Sequence, residues 1–143
     1  PPIIGWTIAT GSITLEPILL FLIIFFWTPS HFWALSLYKK EDYKNAKIPM
    51  LPITAGIKTT KINIFVYSLI LLFISLSPFF LGYFGSLYFI SSLILGSYYV
   101  YLCYNLLASK NTNDDSKISK KIFLYSILYL FLIFSIILLD NAL

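Results

Sequence analysis

The sequence predicts an all-α, polytopic transmembrane helix bundle with four spans, and three observations predict it. First, 59% of the 143 residues are apolar, 19% aromatic and only 11% charged, with a mean hydropathy of +0.85. A soluble domain carries about 45–50% apolar and about 25% charged residues, so too little polar surface exists here to cover a water-soluble globule. Second, four windows, near 17–38, 62–82, 87–107 and 122–139, are apolar over about 20 residues, the length a helix needs to cross the hydrocarbon. Third, all ten lysines fall in two stretches, 39–61 and 108–121. The same composition excludes disorder, and the single cysteine, Cys103, excludes a disulfide scaffold. The chain reads as one transmembrane region over 1–143.

Charge sets the expected orientation. The net charge is +4, carried by lysine without any arginine, and on such a chain it reads as loop charge, not as a nucleic-acid footprint. Lys39, Lys40, Lys44, Lys47, Lys58 and Lys61 follow the first span; Lys110, Lys117, Lys120 and Lys121 follow the third. In a four-span bundle these two loops share a side, and the positive-inside rule makes that side cytoplasmic. Residues 1–16, the tight Gly82-Tyr83-Phe84-Gly85 turn and the Asp140-Asn141 tail share the other side and hold no lysine.

The elements follow in order. Residues 1–14 have no basic start and hold two glycines and two prolines, which is not a signal-peptide pattern. The first residue is Pro1, so a fragment of a longer protein is expected. The first span begins as plain lipid-soluble sequence and then changes character at Trp27-Thr28-Pro29-Ser30-His31-Phe32-Trp33. Pro29 removes a helical hydrogen bond and frees the Phe25 carbonyl, so a kink is expected, tolerated where neighbours or water satisfy the freed group. The loop 39–61 carries the apolar, stiff Ile48-Pro49-Met50-Leu51-Pro52 and is expected to fold back on the membrane surface or over a cavity. The loop 108–121 is polar throughout and reads as a solvated connector.

His31 is the only histidine. It precedes Tyr38 by seven residues, about 10 Å inside the boundary at helical rise. An ionisable side chain at that depth is a functional-site candidate; the competing reading is a neutral imidazole bonded to a neighbouring helix. Trp27, His31 and Leu35 share a helical face, whereas Trp33 serves equally as an interfacial belt residue. Just past the span, Glu41 and Asp42 stand among Lys39, Lys40 and Lys44. Magnesium favours carboxylates together with substrate phosphate oxygens, and lysines bind phosphate as point charges. One short segment thus supplies both parts of a Mg2+–diphosphate site, unless it is a solvated charge anchor. Glu16 and Asp140 read as boundary residues, Asp114 and Asp115 as connector residues, and Cys103 as packing. The tyrosines at 98, 101, 104, 125 and 129 either line a cavity or pack helices. One histidine and one cysteine cannot make a zinc site.

Pro1-Pro2-Ile3-Ile4-Gly5-Trp6, Ala9-Thr10-Gly11, Trp27 through Leu35, Glu41-Asp42-Tyr43 and Ile48-Pro49-Met50-Leu51-Pro52 resemble the protoheme IX farnesyltransferase (haem O synthase) family of UbiA-type intramembrane prenyltransferases. Tyr125-Ser126-Ile127-Leu128-Tyr129-Leu130 extends the resemblance over the whole chain. The resemblance implies nine transmembrane helices around a central cavity, of which this chain looks like the sixth to ninth. It implies transfer of farnesyl from farnesyl diphosphate to a vinyl group of haem b, giving haem O and diphosphate, in the inner membrane of a bacterium. The family holds Mg2+ and diphosphate on two acidic loop motifs. The first lies before Pro1, so the missing N-terminal helices are the expected partner and activity of this stretch alone is in question. Ala46 and Lys47 depart from the wider pattern, where a second acid and a glycine are common.

On that resemblance, Asp42 and Glu41 are the Mg2+ ligands, and Lys39, Lys40 and Lys44 bind diphosphate. His31 and Asp42 are catalytic, with His31 either an iron ligand or a proton-handling group. Trp27, His31, Trp33 and Tyr38 line the haem and substrate cavity. The alternative is a non-catalytic membrane fragment or subunit that binds haem or anionic lipid through the lysine loop.

Overall fold

The computed structural model describes residues 2–12, 14–39, 45–46 and 56–142. Among them are five helices and no strand: α1 (Pro2–Thr10), α2 (Leu15–Tyr38), α3 (Ile57–Phe80), α4 (Ser86–Ala108) and α5 (Thr112–Ala142). Helices α2, α3, α4 and α5 are long and apolar enough to cross a membrane, so the all-α, four-span architecture holds. Each packs on the next and α5 returns to α2, closing a four-helix ring; α1 touches α2 alone among these elements.

Two helical stretches are not visible in the hydropathy pattern. The stretch 1–16 contains α1, where proline near the first position costs little because that N–H has no intrahelical partner. Gly11 ends it with φ +75°, a conformation that favours glycine, while its N–H bonds the Thr7 carbonyl at 2.7 Å. The second basic connector is also shorter than 108–121, because α5 is helical from Thr112. Asp114 and Asp115 occupy its first turn, where carboxylates favour the positive end of the helix dipole. Polarity there reports contact with water and not loss of helix.

Both ends of the ring are fastened by charge. At the basic end, Lys61 is buried inside α3 and not in a loop. Its Nζ donates to the Ser109 carbonyl at 3.1 Å and pairs with Asp115 at 2.7 Å, tying α3 to the α4–α5 junction. At the opposite end α3 stops in a Schellman turn. Tyr83 N–H bonds the Pro78 carbonyl at 2.9 Å and Gly82 N–H bonds Phe79 at 3.0 Å, with Gly82 at φ +83°. Asp140 of α5 then accepts from Gly85 N–H at 2.8 Å and from Tyr88 N–H at 3.4 Å, capping α4. It is a cap as well as a boundary residue.

Small residues let the helices approach where lipid offers no hydrophobic drive for association. Ser68, Ser75 and Ser92 are buried and return their hydroxyl protons to carbonyls of their own helices. A Cβ at Gly96 would lie 2.5 Å from Leu72 Cδ1, so α3 and α4 meet there at the limit of contact.

Candidate active site

Helix α2 continues unbroken through Pro29. Nearby side chains bond the carbonyls of the turn around the proline: Thr28 Oγ1 donates to Ile24 at 2.7 Å, and Ser30 Oγ to Trp27 at 3.2 Å. One turn holds Trp27 and the next His31, so both project onto the same neighbour, α5. Trp27 Nε1–H donates to the Ser126 carbonyl at 2.9 Å. His31 Nδ1 lies 2.5 Å from the Ser126 hydroxyl. The imidazole is stacked on Trp27 (centroids 4.4 Å apart, 17° between planes) and on Phe123 (4.7 Å, 22°), with Phe32 edge-on at 5.4 Å. His31 is 9% exposed, enclosed by side chains of α2 and α5.

Behind this site runs a polar seam. Ser30 Oγ and the Tyr99 hydroxyl are 2.7 Å apart; Tyr99 stacks with Tyr125 and Tyr129, and Tyr125 donates to the Leu95 carbonyl at 2.7 Å. These tyrosines therefore pack α2, α4 and α5 against one another. In front of it, Trp27, Ile127, Leu130, Phe131 and Phe134 line an apolar groove of about 340 Å³.

The other sequence-predicted residues separate into groups. Trp33, two positions from His31, points to another side of α2 and packs edge-on against Tyr67 of α3 at 5.1 Å. Tyr38 ends α2 at the basic end, with the Lys39 ammonium 4.8 Å and the Lys120 ammonium 5.6 Å from its ring centre. The exit of α2 and the second basic stretch thus share one end of the bundle. Lys40, Glu41, Asp42 and Lys44 lie outside the described residues. Among those described, no group of three His, Cys, Asp or Glu side chains is placed to hold a metal ion.

Sequence reasoning missed Ser126, Phe123 and Lys120. Lys120 had a signal: counted forward along a helix starting near the acidic pair Asp114-Asp115, it falls beside the end of α2. Ser126 had a weaker one, a serine in a span one turn from an aromatic.

The chain belongs to the UbiA prenyltransferase family, whose profile matches residues 1–138. It is similar to proteins named protoheme IX farnesyltransferase in several bacteria. That of Pelagibacter ubique is 59% identical over 143 residues, all of this chain and 47% of the relative. That of Parvibaculum lavamentivorans is 47% identical over 143 residues, all of this chain and 45% of the relative. That of Nitrobacter hamburgensis is 45% identical over 140 residues, 98% of this chain and 45% of the relative. The chain thus spans about half the length of the curated relatives it matches. No solved structure matches it significantly.

Proposed function

We propose that this chain forms one half of an intramembrane prenyltransferase that transfers farnesyl from farnesyl diphosphate to a vinyl group of haem b, giving haem O and diphosphate. One observation carries the reading beyond the names of the relatives. The single histidine, held at membrane depth between two aromatic rings, sits on the helix whose basic end leads in sequence straight to Glu41 and Asp42.

The division of labour follows that axis. At the basic end, Asp42 with Glu41 would hold Mg2+, which supplies charge neutralisation for the departing diphosphate. Lys39, Lys40 and Lys44 take diphosphate oxygens, and Lys120 joins them from α5. Fixed cations there favour ionisation of an allylic diphosphate because negative charge grows on the leaving group. About 10 Å inside the Tyr38 boundary at helical rise, His31 meets the porphyrin as iron ligand or proton-handling group. The groove beside Trp27 suits an isoprenoid chain, since its lining is apolar. The lysine-bearing end faces the cytoplasm of a bacterial inner membrane, and the other half of the active-site cavity comes from helices outside this chain.

The test is product analysis by mass. A chimera in which this chain replaces the matching half of the Pelagibacter ubique relative, supplied with haem b and farnesyl diphosphate, should yield the farnesylated haem. A folded chimera that binds haem without forming that product would favour the non-catalytic reading. Asp42→Asn in the chimera should weaken magnesium-dependent diphosphate binding, and unaltered magnesium dependence would remove Asp42 from the site.

A further inference from the structure

The contacts of Ser126 decide which nitrogen of His31 is free to act. A serine hydroxyl owns one proton. Ser126 Oγ lies 2.6 Å from the Phe123 carbonyl, which can only accept, and 2.5 Å from His31 Nδ1. Both contacts are hydrogen bonds only if the serine proton goes to Phe123 and Nδ1 carries its own. The assignment rests on this count of protons. It holds whether the imidazole is neutral or charged, because Nδ1 keeps a proton in either form. The nitrogen that exchanges a proton or offers a lone pair is then Nε2.

Access is equally restricted. Trp27 covers one face of the imidazole and Phe123 the other, so no flat ligand can stack on it. The two ring nitrogens point in nearly opposite directions, and Nδ1 points at Ser126. A partner must therefore approach in the ring plane, at the edge that carries Nε2. Trp27 braces the same arrangement, since its indole N–H takes the backbone carbonyl of Ser126 and fixes α5 in register with α2.

We propose that Ser126 is a positioning residue: by holding Nδ1–H it presents Nε2 of His31, edge-on, as the one acceptor or metal-ligating atom for the porphyrin substrate. This rests on the prenyltransferase reading for its substrate, but not for the tautomer itself. The tautomer of a histidine is set by the bond its other nitrogen makes, and loss of such a partner costs about 10–100-fold in function at metal-ligating histidines.

Because the chain holds one histidine, nitrogen-15 histidine labelling of the full chain in lipid bilayers gives a single imidazole. Wild type should show a protonated Nδ1 and, in the neutral form, an unprotonated Nε2. An unprotonated Nδ1 overturns the inference at once. Ser126→Ala should admit the Nε2–H tautomer, and Ser126→Thr should restore Nδ1–H; an unchanged tautomer in the alanine variant also overturns it. In the chimera, Ser126→Ala should lower kcat about tenfold or more, with KM for farnesyl diphosphate unchanged and threonine rescuing. Equal loss in both variants marks a purely structural serine and overturns the positioning role. A wild-type chimera that is folded but makes no farnesylated haem, with Nδ1 protonated, overturns the enzymatic reading and leaves the tautomer assignment standing.

Discussion

The α2–α5 and α3–α4 seams bury similar residue types and use them differently. Between α3 and α4, Ser68, Ser75 and Ser92 give their protons to their own helices. Tyr88 closes that seam by donating to the Ser75 carbonyl. Each polar group is satisfied within the protein, and the gain is close approach. Between α2 and α5, the bonds of Trp27 and His31 cross from one helix to the other. Among the described residues they leave one imidazole nitrogen, Nε2, without a hydrogen-bond partner. A buried polar group in a membrane bundle is therefore informative when it is bonded across a seam and still has a vacant valence. Burial alone does not distinguish packing from chemistry.

Three substitutions sharpen this contrast, and each, made in the Pelagibacter chimera, should leave product formation per folded molecule at the level of the unsubstituted chimera. The largest effect is expected from Lys61→Ala, which strands Asp115 next to a nearly buried site. Breaking such a pair costs about 3–5 kcal/mol, read as lost resistance to unfolding in detergent. The double variant Lys61→Met, Asp115→Leu should recover most of that loss. Next, Gly96→Leu should destabilise by about 1–3 kcal/mol through overpacking against Leu72. Gly96→Ala should be nearly neutral, because the Leu72 side chain can turn aside and alanine is the better helix former. The smallest effect is expected from Tyr125→Phe, which removes the α5–α4 bond to the Leu95 carbonyl. Interhelical hydrogen bonds in membranes average about 0.6 kcal/mol, within reach of a thermal shift assay. A larger loss of activity than of stability in any of the three would blur the line between the seams.

Much of this was legible in the sequence, for stated reasons. Hydropathy marks the spans because an apolar run of that length has no other stable environment. It does not mark where helices begin: α5 starts in a polar stretch whose first-turn Asp114 and Asp115 suit the helix dipole, and α3 starts among lysines and threonines, with Lys61 tied to Asp115. His31 was legible as a lone ionisable group at membrane depth. Its partner was not, because a serine in a span ordinarily bonds its own helix, and Ser126 does that as well. Lys120 was hidden by the same helical start that moved it from an assumed loop to the end of α2. Trp33 shows the reverse: neighbouring in sequence to His31, it is turned toward Tyr67 by helical geometry.

The most direct test of the division between the seams compares His31→Ala with Gly96→Ala in the Pelagibacter chimera, scoring haem O formed per folded molecule. The account predicts loss of about a hundredfold or more for His31→Ala, the range expected when an acid–base group is removed, with diphosphate binding retained and Gly96→Ala at wild-type level. Wild-type turnover in His31→Ala, or equal losses in both variants, would contradict it.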